Sequence, residues 1–188
     1  MVYKLRFDRN KFLAFDISPE ELEEKLGEDY FFMLDEPSWS EFWQALEVQF
    51  HDDSDKKNLS SIPDITCWFT DQLVLSEHAY NILSEVLTPF GEFLPVKHKE
   101  ISFWIFHVTK LTGLDVINQT DSARTVEASG HIDVEQMSFI NELVEDLLIF
   151  KTEYNGFKNV YCSEQFKSLV LKSELKGLVF KEDLASIF

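Results

Sequence analysis

Leu73-Val74-Leu75-Ser76-Glu77 opens the stretch that decides the fold, and Gly91-Glu92-Phe93-Leu94-Pro95-Val96 closes it. An apolar strand stops at Ser76, whose hydroxyl suits an orphan amide of a following helix, and Glu77 meets the positive end of that helix. The helix runs to about Leu87. Ala79, Ile82, Leu83, Val86 and Leu87 recur at three-and-four spacing, so one face is buried, and a second strand begins just after Gly91. The same order returns further on. Val160-Tyr161-Cys162-Ser163-Glu164 precedes a helix to about Leu171, with Phe166, Leu169 and Val170 as its stripe, and Gly177-Leu178-Val179-Phe180 starts the next strand. Neither copy carries a reactive group, so the pair reads as scaffold.

Working outward, Val2 to Asp8 and Lys11 to Ile17 are rich in strand formers, and Asp8-Arg9-Asn10 between them has turn chemistry, which predicts an opening hairpin. Ser18-Pro19-Glu20-Glu21 is a capping box with proline at the first helical position. Its helix has Leu22 and Leu26 as the apolar stripe, while Glu20, Glu21, Glu23 and Glu24 form an acidic ridge. Leu46-Glu47-Val48-Gln49-Phe50 alternates as a half-buried strand does, and the residues from His51 to Lys57 form a polar loop. Ile101 to Val108 is nearly continuous in apolar residues and reads as a central strand. From Asn118 to Gly130 the pattern dissolves, which predicts a long, mobile loop and a contact surface. Asn155-Gly156 suits a type I′ turn between Leu148–Tyr154 and Phe157–Tyr161.

Strands grouped in hairpins with few short helices predict an α+β fold with a mostly antiparallel sheet. At 188 residues and 45% hydrophobic content, with no Gly/Ser/Pro-rich linker, one compact domain is expected. Within it, residues 1–61 supply a strand hairpin, the acidic helix and a strand, packed on an α+β core of residues 62–188.

Thirty-four acidic against seventeen basic residues give a formal charge of -17, which repels nucleic-acid phosphates and anionic lipid. No nucleic acid and no membrane are therefore expected as partners, whereas a basic protein would be attracted. Cys67 and Cys162 lie far apart without a C-x-x-C arrangement, as befits two reduced thiols. The residues from Met1 to Arg6 lack an apolar signal core, and no stretch reaches the length of a membrane span, so a cytoplasmic address is expected.

The search for chemistry returns little. His51, Asp52, Asp53 and Asp55 offer oxygen ligands in one loop, but the mid-loop glycine and closing glutamate of an EF-hand are missing. His98-Lys99-Glu100 matches the H-x-E of zinc deaminases without its P-C-x-x-C partner. Hydrolase elbows, H-E-x-x-H, Walker loops and G-x-G-x-x-G turns do not occur. Cys67 and Cys162 sit in apolar, strand-like surroundings where an inert thiol is the default, and His107 on the aromatic strand reads as a hydrogen-bonded core residue. The expectation is no catalytic residue, no metal and no cofactor.

An ordered series of residues then carries a resemblance. It comprises Pro63-Asp64, Leu73-Val74-Leu75-Ser76, Gly91 to Val96, Leu114-Asp115, Ile149-Phe150-Lys151, Val160 to Glu164, and Leu175-Lys176 leading to Gly177-Leu178-Val179-Phe180. From Ile62 onward the chain resembles the bacterial immunity proteins of polymorphic toxin systems, a family with a myxobacterial prototype. The resemblance implies a cytoplasmic protein that binds and neutralises a cognate toxin, usually encoded beside it, and it carries over no catalytic residue.

Three readings compete. In the first, a non-enzymatic inhibitor occludes a toxin, with Glu20, Glu21, Glu23, Glu24, Asp52, Asp53 and Asp55 as the solvated partner-binding groups. The second is a small metal-dependent enzyme using His51, Asp52 and Asp53. The third is an adaptor or chaperone that delivers an effector.

Overall fold

A computed structural model describes residues 1–27 and 38–185. The chain runs through β1 (Val2–Phe7), β2 (Ala14–Asp16), α1 (Pro19–Leu26), β3 (Leu46–Glu47), β4 (Gln49–His51), β5 (Ile65–Trp68), β6 (Gln72–Ser76) and α2 (Glu77–Leu87). It continues through β7 (Gly91–His98), β8 (Ile101–Val108), β9 (Leu111–Thr112), β10 (Ala123–Val126), β11 (Ile132–Gln136) and α3 (Asn141–Val144). Last come β12 (Ile149–Thr152), β13 (Tyr161–Ser163), α4 (Glu164–Lys172) and β14 (Leu178–Lys181). The fold is α+β and mostly antiparallel, as the sequence predicts.

Two five-stranded sheets carry the structure, in the orders β14-β1-β13-β12-β9 and β3-β7-β8-β6-β5. Among the described residues only the edge strands β9 and β3 pair in parallel; β2 with β4 and β10 with β11 form separate ribbons. Alternation along the strands sorts side chains into layers. Tyr3, Leu5, Leu73, Leu75, Phe106 and Cys162 enter a central core shared with Ala79 and Leu83 of α2 and Phe166 and Val170 of α4. Val74, Phe103 and Ile105 face a second core with Phe15, Ile17, Leu22 and Trp39, and Val2, Phe150 and Tyr161 face a third with Met137 and Phe139. β6 and β8 are thus buried on both faces, which is why their sequences are apolar with little alternation.

Both Ser-Glu boundaries form as expected. The Ser76 hydroxyl accepts from the Ala79 amide at 3.2 Å, and that of Ser163 accepts from the Phe166 amide at 3.4 Å. Ser18 caps α1 in the same way, accepting from Glu21 at 3.2 Å. Removing the hydroxyl orphans one first-turn amide, so Ser76→Ala and Ser163→Ala are each expected to cost about 0.5–2 kcal/mol in urea denaturation. On α2 the expected stripe is narrower than the sequence predicts, because Val86 is exposed.

Several local expectations are corrected. No opening hairpin forms: β1 lies between β13 and β14, so both its edges are occupied, and β2 pairs with β4. Asp8 winds the connection into a turn, its carbonyl accepting from Lys11 and Phe12 at 3.1 Å, which carries the chain away from β1. Leu46 to Phe50 keeps its alternation but breaks at Val48, with its two halves in different sheets. The residues from Asn118 to Gly130 are not one long loop. They form a 3₁₀ turn capped by Asn118 and then β10, which pairs with β11 around a turn closed by the Gly130 amide on the Glu127 carbonyl. A largely exposed ribbon has little core face, only Val134 of the ribbon packing on the third core, so its sequence carries little apolar alternation. The β12–β13 hairpin exists, but its left-handed positions are Gly156 and Phe157, one residue later than a type I′ turn at Asn155-Gly156 requires. Asn155 is instead buried in a 3₁₀ turn and donates to the Tyr161 hydroxyl at 3.0 Å.

Candidate functional site

β5 and β6 are joined by the tight turn Phe69-Thr70-Asp71, and its conformation is unusual. Phe69 has φ 53°, a left-handed backbone that costs a side chain with a Cβ about 1–2 kcal/mol. It is also 71% exposed, more than any other large apolar side chain among the described residues. The turn is fastened to the other sheet: the Thr70 hydroxyl donates to the Lys158 carbonyl, and the Thr70 carbonyl accepts from the Val160 amide at 3.1 Å. Phe69, stacked on Trp68 at 5.1 Å, is therefore held out on a braced support.

Beside it lies a cavity of about 340 Å³ walled by Trp39, Trp68, Phe69, Asp71, Gln72 and Lys158. Asp71 and Gln72 belong to a buried polar network. Gln72 donates to Asp71 at 2.7 Å and accepts from the Val108 amide at 3.3 Å, while the Lys151 ammonium stands 4.0 Å from Asp71. On the neighbouring strands His107 Nδ1 meets Glu92 Oε1 at 2.9 Å, and Glu92 also accepts from the Trp39 amide and from the Ser38 hydroxyl at 2.8 Å. The Trp39 ring lies flat on the imidazole, with centroids 3.9 Å apart.

Burial lowers the His107 pKa to about 4, the Glu92 hydrogen bond opposes that shift, and Lys151 reinforces it. The carboxylate fixes the tautomer with the proton on Nδ1, so protonation would add one at Nε2, which has no hydrogen-bond partner among the described residues. Burial raises Asp71, with Lys151 and Gln72 opposing. Burial also acts to raise Glu92, but hydrogen bonds from His107, Trp39 and Ser38 outweigh it and hold the carboxyl below its ordinary value. His107 is fully buried, so this pair fastens the Ser38–Trp39 segment to the sheet. The Trp39 and Phe69 rings both wall the cavity, whose lining is largely apolar.

The acidic residues singled out in the sequence are dispersed in role. Glu20, Glu23 and Glu24 are exposed on α1, whereas Glu21 is half-buried and accepts from the Glu47 amide at 2.8 Å. Asp55 is exposed, and Asp53 stands 3.7 Å from Arg9. Asp52 is not a freely solvated group: it accepts from the Ser54 hydroxyl and amide and, at 2.7 Å, from the Leu59 amide. The Ser54 hydroxyl foremost, with these amides, holds its carboxyl below the ordinary range. The carboxylate thus organises the loop that was expected to be simply polar. Among the described residues no group of three or more His, Cys, Asp or Glu side chains is placed to hold a metal ion. His98 Nδ1 is instead 2.9 Å from the Val48 carbonyl. Cys67 and Cys162 are both buried and free, and burial pushes the Cys67 thiol up to about 12 and the Cys162 thiol well above its ordinary value. Neither is a thiolate at neutral pH.

Sequence reasoning missed Phe69, Glu92 and the Asp71–Lys151 pair. One signal was available for the first: Phe69-Thr70-Asp71 joins two apolar runs with an aromatic where a turn favours glycine or asparagine.

What fold and site together define is a layered α+β scaffold that presents a braced aromatic turn. The chain matches the model of the immunity protein family (Imm11) over residues 18–183 and belongs to that family. No curated protein matches it. The match begins at the cap of α1, well before the point where the sequence resemblance becomes legible. No helix among the described residues is long and apolar enough to cross a membrane.

Proposed function

We propose that this protein binds and neutralises a cognate toxin of a polymorphic toxin system in the cytoplasm, by occlusion and without catalysis, using Phe69 as its anchor. The observation that carries the reading is the combination at Phe69 of an unfavourable backbone, high exposure and a braced support. A strained conformation persists where the surroundings over-determine it, and such positions cluster at binding sites. An exposed aromatic beside an apolar cavity is the usual form of an interface hot spot. Exposed carboxylates, with Glu20, Glu23, Glu24 and Asp55 foremost, steer a basic partner into the encounter, and the desolvated aromatic contact sets the lifetime of the complex.

The test begins by co-purifying the product of the adjacent gene and then compares wild type with Phe69→Gly. Glycine relieves the left-handed strain, so the melting temperature is expected to hold or rise, while toxin affinity falls by tenfold or more, about 1.4 kcal/mol. Wild-type affinity in the glycine variant would remove Phe69 from the interface. Charge reversal of Glu20, Glu23 and Glu24 together is expected to slow association and flatten its salt dependence, with a smaller effect on dissociation, as read by stopped flow.

A further inference from the structure

A second cavity, of about 300 Å³, opens on the other side of Thr70 and Lys158, which wall both spaces. Its character is opposite to that of the molecule. Lys4 and Arg6 are two apart on β1 and so share a face, the one turned away from Tyr3 and Leu5 in the central core. Both line this cavity with Lys158 and His131, against Asp133 as its one acidic wall residue among the described residues. In a chain with twice as many acids as bases, this gathering of cations is an anomaly.

Arg6 makes it sharper. The guanidinium is half-buried, and among the described residues it forms no ion pair; its hydrogen bond goes to the neighbouring Leu5 carbonyl at 3.1 Å. The ionisable groups that act on it are the Cys67 thiol and the Tyr161 phenol, and both are neutral because burial raises both. Lys4 is fully buried and donates to the Leu184 carbonyl at 2.9 Å. Burial first, and then repulsion from Arg6, lower its pKa to about 8, with Asp183 opposing. A partly desolvated guanidinium without a carboxylate is costly, and an oxyanion entering the cavity removes that cost through the paired N–H geometry that arginine offers.

We propose that the cavity between β1, β13 and the β10–β11 ribbon binds a small oxyanion, a carboxylate or phosphate compound, with Arg6 as its principal ligand and Lys158 at its edge. The space sits at the small end of the range for ligand pockets, which suits a compact metabolite and not a polymer. Apolar lining from Ile132 and Val134 favours an organic anion with some carbon framework. This inference goes beyond toxin binding and does not depend on it.

The experiment uses the full chain and three probes, inorganic phosphate, citrate and adenosine monophosphate, each titrated against chloride at matched ionic strength. At least one probe is expected to raise the melting temperature of wild type saturably, by several degrees at about a hundredfold excess over its dissociation constant. Phosphate acting alone assigns a phosphate site, citrate alone a carboxylate site, and the nucleotide alone a phosphate ester. In Arg6→Met the saturable rise is expected to vanish, and in Lys158→Ala, a surface change, to weaken. Absence of a saturable rise with all three probes, or an equal rise in wild type and Arg6→Met, would overturn the proposal. If Arg6→Met does not fold, amide chemical shifts of wild type decide: the responding signals must cluster at Arg6, Asn155, Lys158 and Tyr161.

Discussion

Gly177→Ala is expected to cost about 3–5 kcal/mol, the sum of backbone strain and a steric conflict that the surroundings do not relieve. Gly177 has φ 122°, a region that side chains rarely adopt, and a Cβ there would press into the Ile65 carbonyl oxygen and the Pro63 side chain. The backbone is pinned on both sides. The Lys176 carbonyl accepts from Asp64 at 2.9 Å and Ile65 at 3.1 Å, and the Gly177 carbonyl accepts from Asp8 at 2.8 Å, so β1, β5 and β14 converge on this one residue. Gly156→Ala is the comparison, because φ is 66° there and the nearest foreign atom to a new Cβ is 3.5 Å away. It should cost about 1 kcal/mol. Equal midpoints for the two variants in urea would show that the Gly177 contact can relax.

The second large effect is acid lability through His107. Its folded pKa of about 4 lies below the ordinary 6.5, so between those values the unfolded chain binds a proton that the folded chain refuses. The stabilisation is fully present above pH 6.5 and is lost as the pH falls towards 4, for a total of about 3 kcal/mol. Glu92, whose carboxyl is lowered, acts in the same sense below its ordinary 4.5. Asp71 acts in the opposite sense: its raised carboxyl contributes stability at low pH that is lost as the pH rises through its folded value. The decisive measurement is therefore a difference. Urea unfolding of His107→Gln between pH 7 and 4 should show a flatter fall than wild type, whatever its stability at pH 7. Parallel curves would mean that His107 binds its proton equally in the folded and unfolded chains, with no lowered pKa in the fold.

Features fixed by a few neighbouring residues were legible in advance. Ser76 and Ser163 cap their helices, and Ser18-Pro19 starts α1, because a cap is a bond between residues two or three positions apart. The long apolar run of β8 identified a central strand, the middle one of its sheet. The opening hairpin failed because local turn chemistry at Asp8-Arg9-Asn10 says nothing about the strands that compete for the edges of β1. The β10–β11 ribbon was invisible for the opposite reason, since it has little buried face to impose a period. The acidic groups were legible as charge but not as roles: whether Asp52 is solvated or closes a loop depends on where Leu59 returns.

Of the candidate site the sequence carried only fragments. His107 could be read as a buried hydrogen-bonded residue from its aromatic strand, but its partner Glu92 lies across the sheet on β7, and Lys151 approaches Asp71 only because the two sheets meet there. Nothing in the sequence around Lys4 and Arg6 shows the walls that gather beside them. By itself the sequence determined the α+β class, the starts of α1, α2 and α4, the acidic character and the resemblance to immunity proteins, since each rests on composition or on contacts within a turn; α3 was not legible in it. Tertiary structure alone decided which strands share a sheet, that Phe69 stands out at an unfavourable φ, and that among the described residues Arg6 forms no ion pair with a carboxylate. Each of those depends on what distant segments place beside a residue, and desolvation and strain come into being only when those segments arrive.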